Sequence, residues 1–213
     1  MGSLSRFIYN NPNSYVVCAD GGGMIAHKEG VVPDLIIGDF DSLHSDPLEF
    51  FPKDMFPNLE VITLPKEKDD TDTLAAIREI AKRGFTELDI FDAAGGRIDH
   101  YIANMQCLLF AKRHGINARI RDCNSYLFVV ENETVEVTGR FGTVLSVFSM
   151  GDLAKGVTIK NLKYEVEDIE IKNDFPIGVS NEFLENNAVI GVKEGALLVY
   201  VHDDSSSHVI AKN

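Results

Sequence analysis

The chain has 213 residues, 45% of them hydrophobic and 25% charged, a composition typical of globular proteins that excludes collagen, coiled coil and wholesale disorder. Thirty-three Asp and Glu outnumber 20 Lys and Arg, a formal charge of −13, so the chain lacks the basic footprint of a phosphate-backbone binder and nucleic acid is not an expected partner. No apolar run is long enough to span a bilayer and Met1-Gly2-Ser3-Leu4-Ser5-Arg6 carries no signal pattern, so the expectation is a cytoplasmic protein with no membrane partner.

In chain order, Ser3 to Tyr9 reads as a helix. Residues 15–19 (YVVCA), 35–37 (LII), 61–64 (VITL), 88–91 (LDIF) and 118–120 (ARI) are short apolar runs. Strands buried on both faces of a parallel sheet look like this. Helical periods over 74–81 and 98–114 fall between them. The second period predicts one apolar stripe of Ile98, Tyr101, Ile102, Met105, Leu108 and Leu109. Alternating strand and helix predicts a doubly wound, mostly parallel α/β domain over residues 1–124. Beyond Asn124 the pattern changes to strand-like runs at 125–130, 134–137, 143–148, 156–159, 167–171, 189–192 and 197–201, punctuated by Asn, Gly and Asp. These predict an all-β sandwich domain over 125–213, with a frayed polar tail from Asp203. Cys18, Cys107 and Cys123 have neither CxxC nor zinc spacing and are expected to be small buried residues.

Acidic and glycine-rich clusters follow the predicted strands. The first strand runs into Asp20-Gly21-Gly22 and the second into Gly38-Asp39-Phe40-Asp41-Ser42. The third leads to Lys68-Asp69-Asp70-Thr71-Asp72 and the fourth to Gly95-Gly96-Arg97-Ile98-Asp99-His100, each at a helix start. Ligands of open parallel sheets bind outside the carboxyl ends of the strands, so the topology collects these clusters along one edge. Asp39 and Asp41 would face opposite ways in extended chain, and a bend through Gly38 is needed to aim both at one site. Given that bend, Asp39, Asp41 and Asp72 form a hard-oxygen site suited to Mg²⁺, which uses few carboxylates together with waters and substrate phosphates. The glycines offer backbone amides and room for phosphate, and Arg97 offers a planar cation at a helix N-terminus.

Each signal also has an ordinary explanation. Asp70 and Thr71 suit a helix N-cap, Asp99 suits the positive end of a helix dipole, and His100 is more often a packing group than a base. A lone D-x-D also occurs in glycosyltransferases and phosphatases, and no G-x-x-x-x-G-K-[ST] is present. The conjunction of clusters carries the argument, and it points to a Mg²⁺-dependent nucleotide enzyme.

Together with the run Val32-Pro33-Asp34-Leu35-Ile36-Ile37 before Gly38, these motifs resemble the thiamine pyrophosphokinase family in order and spacing. Asn161-Leu162-Lys163-Tyr164 and Val179-Ser180-Asn181-Glu182-Phe183 resemble that family's thiamine-binding domain. The resemblance implies a homodimer, with active sites at the subunit interface, that uses ATP and Mg²⁺ to convert thiamine to thiamine diphosphate with release of AMP. It implies Asp39, Asp41 and Asp72 as metal-holding catalytic acids and Asp99 as a further catalytic acid. It also implies Asp20, Gly21, Gly22, Asp69, Thr71, Gly95, Gly96 and Arg97 as ATP contacts, and Ser180 and Asn181 as thiamine contacts. Ser180-Asn181 alone would read as a turn. Family members usually begin with a strand and a Gly-containing loop ahead of the segment that here starts at Leu4, so the first strand is expected to be missing. Two other readings stay open on the residues alone: a nucleotide- or thiamine-binding module without turnover, and another Mg²⁺-dependent D-x-D phosphotransfer enzyme.

Overall fold

The computed structural model describes residues 2–40, 47–67, 69–94, 96–202 and 209–211. The chain is mixed α/β and divides into two compact units, Met1–Phe85 and Thr86–Asn213. Asp41 and Gly95 lie outside the described residues.

In the first unit, helix α1 (Ser3–Asn10) precedes β1 (Val17–Ala19), α2 (Gly22–Glu29), β2 (Leu35–Gly38), α3 (Pro47–Phe50), β3 (Glu60–Thr63) and α4 (Asp72–Lys82). The three strands form one parallel sheet in the order β1-β2-β3, with Ala19 level with Ile37 and Gly38 level with Thr63. β2 is central and buried along its whole length, which is why it reads as an unbroken apolar run. α4 turns Ala76, Ile77 and Ile80 inward and packs on β1 and β2. Cys18, Ala26, Val31, Ile36, Phe51 and Leu59 make the core of this unit.

The second unit begins with β4 (Glu87–Phe91), α5 (Ile98–Arg113) and β5 (Asn117–Asp122). Its antiparallel strands are β6 (Ser125–Glu131), β7 (Thr134–Thr138), β8 (Val144–Ser149), β9 (Leu153–Lys160), β10 (Val166–Lys172), β11 (Asn181–Glu182), β12 (Asn187–Gly191), β13 (Ala196–His202) and β14 (Val209–Ala211). They form a six-stranded sheet, β11-β8-β13-β6-β5-β4, and a five-stranded sheet, β10-β9-β12-β7-β14. One apolar core draws on both, with Tyr126, Leu145, Val147 and Val199 from the first and Val137, Val157, Ile159 and Ile190 from the second.

Several expectations change. Among the described residues β1–β3 make one parallel sheet, and β4 and β5 pair in parallel with each other and continue through β6 into the antiparallel sheet. Asp122 pairs with Ser125, so Cys123-Asn124 makes a tight hairpin between β5 and β6. The expected stripe on α5 also shifts. Asn104, Cys107, Leu108 and Ala111 are buried, whereas Ile98 is 78% and Ile102 50% exposed, so one polar residue sits on the inner face. Within the tail, Val209–Ala211 forms a strand against β7. Cys18 and Cys107 are buried as expected and Cys123 is exposed.

Candidate active site

Because β1 and β2 run parallel in register, their carboxyl ends lie side by side. Asp20 leaves β1 with its N–H donating to the Ile37 carbonyl at 2.9 Å, and Asp39 follows β2 directly. An added Cβ on Gly38 would stand 3.1 Å from Asp20 Cα and 3.2 Å from Asp20 N, closer than most side chains approach backbone, so the neighbouring strand end would have to shift. Glycine at 38 thus serves the close approach of the two strand ends, not a bend. The turn comes two residues later at Phe40, whose φ is 58°, and Asp20 takes the same left-handed conformation at 42°. Two non-glycine residues in this region at adjacent strand ends mark an edge whose backbone is held away from its lowest-energy path.

The chain leaves β3 at the same edge and enters α4 at Asp72. Asp20, Asp39 and Asp72 are each half-buried. Thr71 is the N-cap of α4, its hydroxyl accepting the Leu74 N–H at 3.2 Å. Asp70 pairs with Arg78, Nε to Oδ2 at 2.8 Å, and Asp69 is exposed. The helix itself therefore accounts for Thr71 and Asp70. Glycines 21 and 22 open α2, and a Cβ on Gly21 would meet no atom within 4 Å, so the fold leaves space above that helix start. Burial pushes the Cys18 thiol up to about 12, which removes it as a nucleophile.

Among the described residues no group of three or more His, Cys, Asp or Glu is placed to hold a metal ion. Asp39 and Asp72 are hard oxygen donors of one unit, and that donor chemistry fits a cation that keeps most of its shell for water and phosphate.

In the second unit the end of β4 passes through Asp92, at φ 55°, and Gly96, at φ 78°, into α5. Asn104 on that helix is buried and donates to the Ala93 carbonyl at 2.9 Å, fixing the loop. Its role was hidden in the sequence because it sits inside an apolar period. Arg97 is the N-cap residue of α5 and grips Asp99 with two bonds, Nε to Oδ1 at 3.2 Å and NH2 to Oδ2 at 2.6 Å. That bond holds the Asp99 carboxyl below its usual range and raises Arg97. The pairing favours the ionised form of the Asp99 carboxyl and steadies the guanidinium beside it.

At the other motif, Asn181 is buried and committed to the protein. Its Oδ1 accepts the N–H groups of Tyr164 at 2.9 Å and Glu182 at 3.0 Å, and its Nδ2 donates to the Tyr164 carbonyl at 2.8 Å. The Leu162–Phe183 bridge lies beside this clasp. Tyr164 is thereby pinned at its backbone while its side chain remains exposed, as is Ser180 next to Asn181.

Comparison with known proteins places this geometry. Residues 8–120 match the model of the thiamin pyrophosphokinase catalytic domain, and residues 130–197 match that of the thiamin pyrophosphokinase vitamin B1 binding domain. The chain belongs to the thiamin pyrophosphokinase family. A Bacillus subtilis thiamine pyrophosphokinase is 22% identical over 192 residues, covering 90% of this chain and 88% of the relative. The crystal structure of the enzyme from that organism superposes with a TM-score of 0.81 at 21% identity, over 93% of this chain and 92% of that one. A thiamin pyrophosphokinase from Geobacillus thermodenitrificans gives 0.79 at 27% identity, over 95% and 92%. For a thiamin pyrophosphokinase, the strand-end acids and Arg97–Asp99 fall in the catalytic-domain match, and Ser180 and Asn181 in the vitamin B1 binding match.

Proposed function

We propose that the chain transfers the pyrophosphoryl group of ATP to the hydroxyl of thiamine, giving thiamine diphosphate and AMP. The thiamine oxygen forms a bond to the β phosphorus, the bond from that phosphorus to the oxygen bridging to the α phosphate breaks, and AMP departs with that oxygen. The hydroxyl proton passes to solvent. The observation that carries this reading is the line of half-buried acids at the carboxyl edge of β1–β3, inside the catalytic-domain match.

Asp39 and Asp72, with Asp41, hold Mg²⁺ in this reading. The ion supplies charge neutralisation to the triphosphate. Asp20, Gly21, Gly22, Asp69, Gly95 and Gly96 line the nucleotide, the glycines allowing backbone N–H groups to approach phosphate oxygens. Thr71 fixes the start of α4 and so the direction of Asp72. Arg97 meets phosphate oxygens with the part of its guanidinium that Asp99 leaves open, and the reaction draws mostly on such positioning and charge compensation. Ser180 offers thiamine a hydroxyl, and Asn181 shapes the ground on which it stands. The active species is a homodimer with its active sites at the subunit interface, working in the cytoplasm.

Mixing the protein with ATP, Mg²⁺ and thiamine and resolving the nucleotides tests the reading. Equal amounts of AMP and thiamine diphosphate are expected. Release of ADP or free phosphate instead identifies a different phosphotransfer enzyme, and thiamine binding with no product identifies a module without turnover.

A further inference from the structure

Apart from the phenol of Tyr126, three polar side chains are buried among the described residues, Asn104, Ser146 and Asn181. Asn104 and Asn181 each brace a stretch of backbone, at Ala93 and at Tyr164–Glu182. Ser146 lies in the middle of β8, between Leu145 and Val147, which both face the apolar core. A serine at such a place is costly unless its hydroxyl has work to do.

Its partner is Ser180. The Ser180 N–H donates to Ser146 Oγ at 3.0 Å. β11 pairs with β8 through Asn181 opposite Leu145, and the Val147 N–H then donates to the Gly178 carbonyl at 2.9 Å. From Leu145 to Val147 is two steps along one strand, and from Asn181 back to Gly178 is three along the other. One extra residue is therefore inserted opposite Ser146. This is the geometry of a β-bulge, which leaves an amide outside the regular ladder and re-aims the side chain beside it. Ser180 is exposed and left-handed, at φ 59°, a conformation that costs a serine more than it would a glycine. The buried hydroxyl of Ser146 takes up the displaced amide and offsets that cost.

We propose that Ser146 is a positioning residue for thiamine: it never touches the substrate, and it holds Ser180 in the bulge from which the Ser180 hydroxyl meets thiamine. The inference rests on the function proposed above and adds a residue that no sequence motif marks. Ser146→Ala removes the acceptor and keeps the size of the side chain nearly unchanged. The KM for thiamine then rises roughly five- to tenfold, the scale of one net hydrogen bond, while kcat and the KM for ATP stay within about twofold. Ser146→Thr, which restores the oxygen, brings the thiamine KM back toward the wild-type value.

Amide hydrogen exchange at Ser180 reads the bond without any turnover. It is expected to speed up in Ser146→Ala and to slow again in Ser146→Thr. An unchanged Ser180 exchange rate, or an unchanged thiamine KM, overturns the proposal. So does a parallel loss for both substrates, which would make Ser146 a general stability residue. A wild-type protein that makes no AMP defeats the proposed function instead, and the exchange measurement still decides whether Ser146 holds the bulge.

Discussion

The carboxyl edge of β1–β3 and the bulge beside β11 treat polar groups in opposite ways. At the first, Asp20, Asp39 and Asp72 stand half-buried at the ends of strands and the start of a helix, and in the proposed function they face the metal and the triphosphate. At the second, Asn181 spends its amide on the protein backbone, and Ser146 accepts the one amide that the bulge displaces. One region displays charge and the other fixes shape. The difference matches what each would have to bind. A triphosphate is recognised by compensating charge, which tolerates some movement. A small heteroaromatic alcohol is recognised by the exact placement of a few neutral groups.

Replacing the displayed charge should have the largest effect. Asp39→Asn and Asp72→Asn are each expected to lower turnover by at least about a hundredfold, the scale of losing one electrostatic stabiliser, with far-UV circular dichroism unchanged. Near-normal turnover in both would remove the metal assignment and leave the edge without its role.

Cutting the clasp comes next. Asn181→Ala loses three hydrogen bonds to backbone groups of Tyr164 and Glu182, and stability is expected to fall by about 1–3 kcal/mol, read as a lower urea midpoint. Thiamine affinity by titration should fall while affinity for a non-hydrolysable ATP analogue holds. Equal losses for the two ligands would erase the contrast between the regions.

Thr71→Ala tests whether that residue serves the helix or the nucleotide. Loss of the cap should cost about 1 kcal/mol of stability, and Thr71→Ser should recover it. A large loss of ATP affinity in both variants would return Thr71 to the nucleotide.

The smallest effect belongs to Arg97–Asp99. Arg97 holds the Asp99 carboxyl low, so the stabilisation from this pair is present above the ordinary carboxylate value of about 3.9 and is lost as the pH falls through the lowered folded value. Both side chains are well exposed, so the contribution is small. In Arg97→Gln the Asp99 carboxyl should titrate nearer its ordinary value by NMR, and no change would show that Arg97 does not hold it.

The acids of the first region were legible because charge placed after apolar strands is a pattern in one dimension. Asp20, Asp39 and Asp72 could be picked out by reading along the chain. The shape-fixing residues were not. Asn104 is masked by the apolar period of α5, and Ser146 by the run of β8, since a single polar residue in a strand reads as its solvent face. Both answer to backbone groups elsewhere in the chain, Ala93 and Ser180, which only the folded pairing brings near. The need for glycine at 38 was visible, but its cause was not: the backbone of Asp20 beside it is a neighbour across the sheet. The continuous sheet through β4, β5 and β6 is likewise set by strand pairing that no local pattern marks. A change from helical to strand-like pattern near Asn124 marks where the helices stop, and says nothing about where one sheet ends.

The central claim is transfer of an intact pyrophosphoryl group to thiamine, and following the phosphorus atoms tests it most directly. ATP labelled at the β phosphorus, incubated with the protein, Mg²⁺ and thiamine, should place all of its consumed label in thiamine diphosphate and leave AMP unlabelled, one for one. Label retained in ADP, or released as phosphate or pyrophosphate with thiamine unchanged, would contradict the account.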